Sequence, residues 1–458
     1  MQLTSLSLAI SRIMGGGAWS PFSLFAAGEQ GAWYDPSDLT TLFQDSAGTT
    51  PVTGVEQRVG KMLDKSGRGN HAFQATTTPN DKRPILSARA NLLTKTEDFS
   101  DAAWAKSGLQ AFGSGSIANA TIAPNGTQTA DFIAIDGSIG VHGVSVDLSS
   151  TYASVSCKTR VCLKYKDWQY VTILGPDLNY SITVDVINGT YTIKDATIVT
   201  SISVTKDAAS GWVTVSFNQP QGRYLYVVFN SGSTPNISFD GSAGAGKGFY
   251  LWGADHRPSS IGNNIPAYQR VNTATDYDTT GFPYYLKADG AYTSMSTNSI
   301  NFSATNKMSI MSGVRKLSDA AQGVVSELSA TSASNNGSFT LSAPGGAATN
   351  YTWLSKGTTA DTVTATPYTS PISGVLTGLA SISAPSNTIR VNGTATSDTN
   401  TQGTGNYGNY PIYLFARNNS SNFLNGYFYG AIIRGDTTSG TDLTNAESYM
   451  NKQSGGLY

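Results

Sequence analysis

The stretch VGKMLDKSGRGNHAFQ, residues 59–74, sets two short apolar runs on either side of a turn built from Asp64, Lys65, Ser66, Gly67, Arg68, Gly69 and Asn70. Apolar runs separated by Gly- and Asn-rich turn residues are the pattern of paired strands. The strand that should follow is missing. The chain instead begins a new pattern at ANLLTKTEDFSDAAWAKSG, residues 90–108. A fitting continuation, YYLKADGAYTSMS, arrives only at residues 284–296. Any fold for this chain must account for that interruption.

The 458 residues are enough for two to four domains at roughly 100–200 residues each. Only 13% are charged and the net charge is −1, against about 25% charged in an average soluble domain. Gly, Ser, Thr and Asn take the place of Lys and Glu, and β-branched and aromatic residues favour strands. With no excess of positive charge there is no electrostatic case for nucleic acid or acidic membranes. No run reaches the roughly 18–20 apolar residues of a membrane span. Cys157 and Cys162, five apart on one strand, point to opposite faces. They read as two small thiols, one of them buried, in a protein assembled in a reducing cytoplasm. The opening MQLTSLSLAISRIMGGGAWSP has no basic residue before its apolar run, which Ser and Thr interrupt, so no cleaved signal is expected.

Residues 1–30 are too short and too apolar for a core of their own and are expected to dock on a partner. Leu6, Leu8 and Ile10 alternate along an edge-strand pattern, followed by Trp19, Phe22 and Phe25. In DPSD, residues 35–38, Ser37 or Asp38 is placed to cap a short helical turn at residues 39–43. Residues 91–279 hold strand after strand (YASVSCKTRVCLKY, YVTIL, YSITVDV, WVTVSFN, YLYVVFN), with turn signals at sandwich spacing and no helix of useful length. Further strands run from about 280 onward. The chain then closes on TDLTNAESYMNKQSG, which predicts a helix with Thr444 as N-cap and Glu447 completing a capping box. No repeat of 20–50 residues is visible, which argues against β-helices and propellers.

Three signatures resemble domains of tailed-bacteriophage virion appendages, the tail fibres and head fibres. GAWYDPSDLTTLFQDSAGTTPVTGVEQRVGKMLDKSGRGNHAFQ, residues 31–74, looks like the start of a concanavalin A-like (laminin-G type) jelly roll. ANLLTKTEDFSDAAWAKSG, with GWVTVSFN and FYLWGADHR, looks like a carbohydrate-binding-module-like jelly roll. LKADGAYTSMS, IRVNGTAT and FLNGYFYGAIIRGDTTSGTDLTNAESYMNKQSG look like the body and closing strand and helix of the first domain. The resemblance implies an all-β protein of two antiparallel jelly-roll sandwiches, one inserted into the other, with a short N-terminal anchor and a short C-terminal helix. Residues 31–90 plus 280–458 would form the concanavalin A-like domain, 91–279 the insert, and 1–30 the attachment segment. Such splicing is permitted, because sandwich termini lie close together at the surface and loop-closure entropy grows slowly with length. The implied protein sits on the virion surface after synthesis in the bacterial cytoplasm. Its N-terminus would join a tail adaptor, portal or capsid protein, and its copies would form a homo-oligomer, with a trimer favoured. Tail and head placement are not separable from the sequence.

Enzymatic patterns are missing from the sequence. A retaining glycosidase needs two carboxylates about 5–5.5 Å apart, and no Glu-x-Asp-x-x-Glu run occurs. No H-E-x-x-H or G-x-S-x-G is present, and His71, His142 and His256 sit in unrelated contexts. A non-enzymatic protein is therefore expected. Asp35, Asp38, Asp64 and Asn70 lie in neighbouring turns and could supply oxygens to Ca²⁺, though turn-making is the commoner use of such residues; no metal or cofactor is assigned. Sugar binding is the functional reading of the aromatics, whose rings stack on sugar faces. Trp168 and Tyr170 in YKDWQYV and Trp353 in NYTWLSK have polar neighbours and are the candidates for a host surface polysaccharide. Trp212 and Trp252 sit inside apolar strands and are expected in the core. The competing readings are a secreted bacterial lectin-like adhesin and a polysaccharide-degrading tailspike.

Overall fold

The computed structural model describes residues 19–77, 80–148, 154–259, 268–273, 276 and 283–458. The protein is nearly all β, with one α-helix, Gly440–Gln453, among the described residues. The chain divides into two compact units, Met1–Ala88 with Thr280–Tyr458, and Arg89–Thr279.

The first unit pairs an eight-stranded with a nine-stranded antiparallel sheet. Lys61–Met62 and Ala72–Phe73, from the opening stretch, are antiparallel neighbours in the larger one. Their next neighbour is Met295–Asn301, through the Phe73–Ser296 pair. Side chains alternate across each strand, so in Ala360–Ala365 every second residue, Asp361, Val363 and Ala365, is buried. The inward faces of the two sheets meet in one core that includes Phe339, Leu341, Tyr351, Trp353, Ile310, Val314, Leu376, Ile389, Phe428 and Ile433.

The interruption has a simple geometry in this unit. The chain leaves along Ile85–Ser87 and returns along Tyr285–Asp289, and these strands are antiparallel partners with Ser87 directly opposite Tyr285. The inserted residues thus stand where a hairpin has its turn. One edge of Asn425–Arg434 is filled by two short strands, Gly31–Tyr34 against residues 431–434 and Tyr285–Asp289 against residues 425–428.

The helix starts earlier than expected. Its N-cap is Ser439, and Thr444 lies inside it, its hydroxyl bonded to the Gly440 carbonyl. Gly440 takes φ +56°, which a residue lacking Cβ adopts without strain, so the first turn can form well upstream of the capping-box pattern. Glu447 is held by Arg390, Nε to Oε1 at 2.7 Å and Nη2 to Oε2 at 3.1 Å. Ala446 and Met450 cover Met311, Val375 and Ile432 on the outer side of the eight-stranded sheet.

The second unit stacks two six-stranded antiparallel sheets around a core that includes Val161, Leu163, Ile173, Val184, Val215, Leu225, Val227, Phe229 and Phe249. Both cysteines are buried on Cys157–Tyr165, where one had been expected. Val161 and Leu163 point into the core. Cys162 faces outward into a second small cluster with Trp212 and Trp252.

The two ends of this unit are tied to each other by buried amides. Asn91, fully buried, donates from Nδ2 to the carbonyls of Ala254 (3.1 Å) and Gln269 (3.0 Å). Its Oδ1 accepts the N–H groups of Leu93 and His256. The Gln269 side-chain oxygen accepts the Ala90 and Asn91 N–H groups. Thr96 and Val271 exchange two bonds, and Glu97 accepts the Tyr268 hydroxyl and the Arg270 guanidinium.

Replacing Asn91 by Ala strands buried donors and acceptors on both ends at once. Asn91→Ala is expected to destabilise the protein by about 3 kcal/mol in urea denaturation, the scale of leaving buried polar groups unpaired. His256 belongs to the same region and is fully buried. Burial pushes its pKa down from 6.5 to about 4, against a smaller upward pull from the Gly222 carbonyl. The unfolded chain takes up a proton below 6.5 that the folded unit takes up only near 4. His256 thus contributes stability that is complete above 6.5 and lost as the pH falls from 6.5 towards 4. Thermal unfolding followed across that window should show this loss, and His256→Gln should flatten it.

Candidate functional site

One sheet of the second unit carries tyrosines on its solvent side. Its order is Thr190–Ile193, Ser181–Asp185, Tyr170–Leu174, Tyr224–Phe229, Gly143–Asp147, Ala105–Ser107. Leu225, Val227 and Phe229 face the core. Alternation turns Tyr224 and Tyr226 the other way. Leu174 lies opposite Tyr226 and Thr172 opposite Val228, so Tyr170, two residues before Thr172, shares the tyrosine face. Asp185 and Thr190 continue that row beside Tyr170.

Tyr224 and Tyr226 are half-buried neighbours, ring centroids 5.6 Å apart at 42°. The Arg223 guanidinium lies 4.9 Å from the Tyr224 ring centre. Burial first, then Tyr224 and Asp147, push the Tyr226 phenol above its usual pKa, with Arg223 opposing. Tyr226 therefore stays a protonated hydrogen-bond donor at neutral pH. Ser145 and Asp147, opposite Tyr226 and Tyr224, add polar groups. Two half-buried phenol rings tilted against each other, with a hydroxyl and a carboxylate at their margin, can meet a sugar ring and bond its hydroxyls.

At the far edge of the same sheet a pocket of 80 Å³ is lined by Tyr170, Thr183, Asp185, Thr190, Tyr191, Thr192 and Ser233. Tyr191 is 44% exposed there. Asp185 is already committed. It accepts Gln169 Nε2, Asn188 Nδ2 and the N–H groups of Ile187 and Asn188. Burial raises its pKa, but these bonds outweigh it and hold the carboxyl below its ordinary value. Four donors fill a carboxylate's four lone-pair sites, so Asp185 builds its turn, and the hydroxyls of Tyr170, Thr190 and Tyr191 remain for a ligand.

Of the three aromatics singled out in the sequence, only Tyr170 reaches this surface as a usable ring. Trp168 is occupied: it stacks on Phe239 (5.7 Å, 20°), meets Phe229 edge-on at 5.3 Å, and its indole N–H bonds the Asn230 carbonyl. Trp353 is fully buried. Its strand, Tyr351–Lys356, turns Tyr351 and Trp353 inward, and the indole fits because Gly378 opposes it: a Cβ there would come within 2.4 Å of the ring. Trp212 and Trp252 are buried, their N–H groups held by the Ile122 carbonyl and the Thr129 hydroxyl. Tyr224 and Tyr226 were missed. Their signal was present in YLYVVF, where tyrosines two apart alternate with Leu225 and Val227.

The N-terminal aromatics are also engaged. Leu6, Leu8 and Ile10 lie outside the described residues. Phe25 is 3% exposed in a cluster with Leu24, Trp33 and Met450, and Trp19 and Phe22 pack against that cluster. The Trp19 indole N–H bonds Asp442 on the helix, and Arg68 bonds the Phe25 carbonyl. These three residues cover their own unit and are not exposed anchors.

The oxygen-rich turns converge on a cation of the chain's own. Asp35 and Asp38 both contact Lys65 Nζ, at 2.9 and 2.8 Å. Asp64 accepts the N–H groups of Trp33, Ser66 and Asn70 and the Ser66 hydroxyl. The Lys65 ammonium thus occupies the place between Asp35 and Asp38 that Ca²⁺ would need, and the Asp64 oxygens are spent on the backbone.

No family model matches this sequence, and no curated protein matches it. Solved structures match parts of it. The receptor binding domain of botulinum neurotoxin D is 11% identical over 38% of this chain and 45% of that one, with a TM-score of 0.30. The Ruminococcus gnavus IT-sialidase CBM40 is 14% identical over 31% of this chain and 83% of that one, at 0.26. The binding domain of Paraclostridial Mosquitocidal Protein 1 is 16% identical over 37% and 43%, at 0.28. The chain spans less than half the length of the neurotoxin binding domains it matches. These likenesses are shallow, and no residue or ligand is carried over from them.

Packing and binding roles can be separated by mutation. Trp353→Ala should cost about 3–5 kcal/mol, as large-to-small core changes do, and Gly378→Ala about 1–3 kcal/mol by overpacking against the indole. Calorimetry on both variants checks this.

Proposed function

We propose that this chain is a non-enzymatic appendage of a tailed-phage virion that adheres to bacterial surface glycans. One observation carries the glycan reading: Tyr170, Tyr224 and Tyr226 stand on the solvent side of one sheet, with Ser145, Asp147 and Arg223 beside the latter two. The virion reading is supported by the three sequence signatures and by the Ser/Thr/Asn-rich, charge-poor composition. Attachment to the particle is assigned to residues 1–18, since Trp19, Phe22 and Phe25 pack on their own unit. Each site is weak alone. Copies in a homo-oligomer, a trimer in this reading, gain avidity by binding the same polymer together.

The test uses purified full-length protein and the surface polysaccharides of candidate host bacteria. Tyr224→Ala with Tyr226→Ala should weaken retention by about tenfold, since stacked aromatics anchor such contacts at about 0.5–1.5 kcal/mol each. Unchanged retention would remove the face from consideration. Release of new reducing ends would favour the polysaccharide-degrading reading. Separately, deleting residues 1–18 should leave a folded protein that no longer enters particles, checked by labelling virions.

A further inference from the structure

The first unit has a groove that the tyrosine face does not involve. It has a volume of 390 Å³ and is lined by Ser46, Ala47, Lys61, Gly69, Asn70, His71, Phe73, Ala75 and Asn298. Lys61 and Phe73 are cross-strand partners and therefore side by side on the outer face of the nine-stranded sheet. Their neighbours Met62 and Ala72 point inward and are fully buried.

The ammonium and the imidazole of this groove act as donors. The Asp64 backbone N–H donates to His71 Nδ1 at 3.0 Å. A backbone N–H can only donate, so the neutral imidazole carries its proton on Nε2. Burial, then the Lys61 charge, push the His71 pKa down, which keeps the ring neutral and this tautomer fixed. Among the described residues Nε2 has no partner. Lys61 Nζ has one weak bond, to the Ala47 carbonyl at 3.4 Å. Among the described residues no carboxylate lines the groove. The nearest in sequence are withdrawn: Asp45 accepts the N–H groups of Gly48, Thr49 and Thr50, and Asp64 is held as described. The groove therefore offers an ammonium, an imidazole N–H, an amide and a hydroxyl around one half-buried phenyl ring.

We propose that this groove is a second binding site, for a saccharide unit bearing a carboxylate. Lys61 Nζ and His71 Nε2–H meet the carboxylate, Phe73 lies against the C–H face of the sugar, and Asn298 and Ser46 bond its hydroxyls. A charged donor on a carboxylate makes the strongest class of hydrogen bond available to a protein. The ring favours a ligand with an apolar C–H face over a bare inorganic anion. This site lies in a different unit from the tyrosine face, so it stands or falls independently of it.

The experiment titrates full-length protein calorimetrically with a panel of acidic oligosaccharides: oligogalacturonate, oligomannuronate, hyaluronan oligomers and sialyllactose. Carboxyl-reduced forms of each, and acetate and inorganic phosphate alone, run in parallel. The expected result is that at least one acidic oligosaccharide binds and its reduced form does not. Lys61→Met should weaken that binding by about tenfold, with Lys61→Arg retaining it, and Tyr224→Ala with Tyr226→Ala should leave it unchanged. In the wild-type protein, the His71 Nε2–H resonance should shift on binding, a readout that needs no variant to fold. The proposal is overturned if no acidic oligosaccharide binds, if acetate or phosphate binds equally well, if Lys61→Met binds normally, or if the His71 resonance does not move.

Discussion

The architecture depends on a set of buried amide hydrogen bonds. Asn91 and Gln269 stand at opposite ends of a long segment and satisfy each other's backbone and side-chain groups directly. Fixing both ends at one place is what allows so many residues to sit where a hairpin has its turn. In the other unit the matching condition is the Ser87–Tyr285 pair, one rung of an antiparallel ladder. Loop-closure entropy opposes such a connection only weakly. The buried carboxamides, with Glu97 drawing in Tyr268 and Arg270, hold the two ends of the inserted unit to each other. The same burial keeps His256 neutral, so structural closure and sensitivity to acid have one cause.

Period-two alternation then sorts the aromatics. Along each strand one face is buried and the other meets either solvent or a covering layer. The sheet of Trp212 and Trp252 has such a layer, made from residues around 122–130 with Tyr268. The opposite sheet leaves Tyr224 and Tyr226 half-open. An identical rule therefore yields a second hydrophobic layer on one side of the sandwich and a candidate binding surface on the other. On the tyrosine side the cover is partial: Thr172, Thr183 and Val228 are buried, while Tyr224 and Tyr226 keep part of their surface open.

This is also why the sequence was informative about class and poor about sites. Strands were legible because Val, Ile, Thr and Tyr alternate with Ser and Asn over short runs between Gly and Asn turns. The inward or outward sense of a particular aromatic was not. Whether Trp353 is buried depends on Gly378, a residue in another sheet that no local pattern connects to it. Trp168 looked exposed from its Lys, Asp and Gln neighbours, yet Phe239 arrives from a distant strand to cover it. The carboxylates at 35 and 38 left a Ca²⁺ site open beside the commoner turn-making reading, because the turn could not show that Lys65 reaches them. The helix start was displaced because Ser439 and Gly440 offered a cap that the stronger-looking Thr444 pattern concealed. Tyr224 and Tyr226 were accessible to the alternation rule and were passed over as part of an apolar run.

The edge of Asn425–Arg434 has one more implication. Its two occupants come from near the start of the chain and from just after the insert, while the strand itself lies close to the C-terminus. On the ribosome, residues 31–34 emerge long before the template they pair with, whereas residues 89–279 emerge as a unit with all its partners present. Long-range pairings of this kind are slow to form. Synthesis therefore orders the assembly: the partners of the inserted unit are all present before residues 425–434, on which the host sheet closes, have been made.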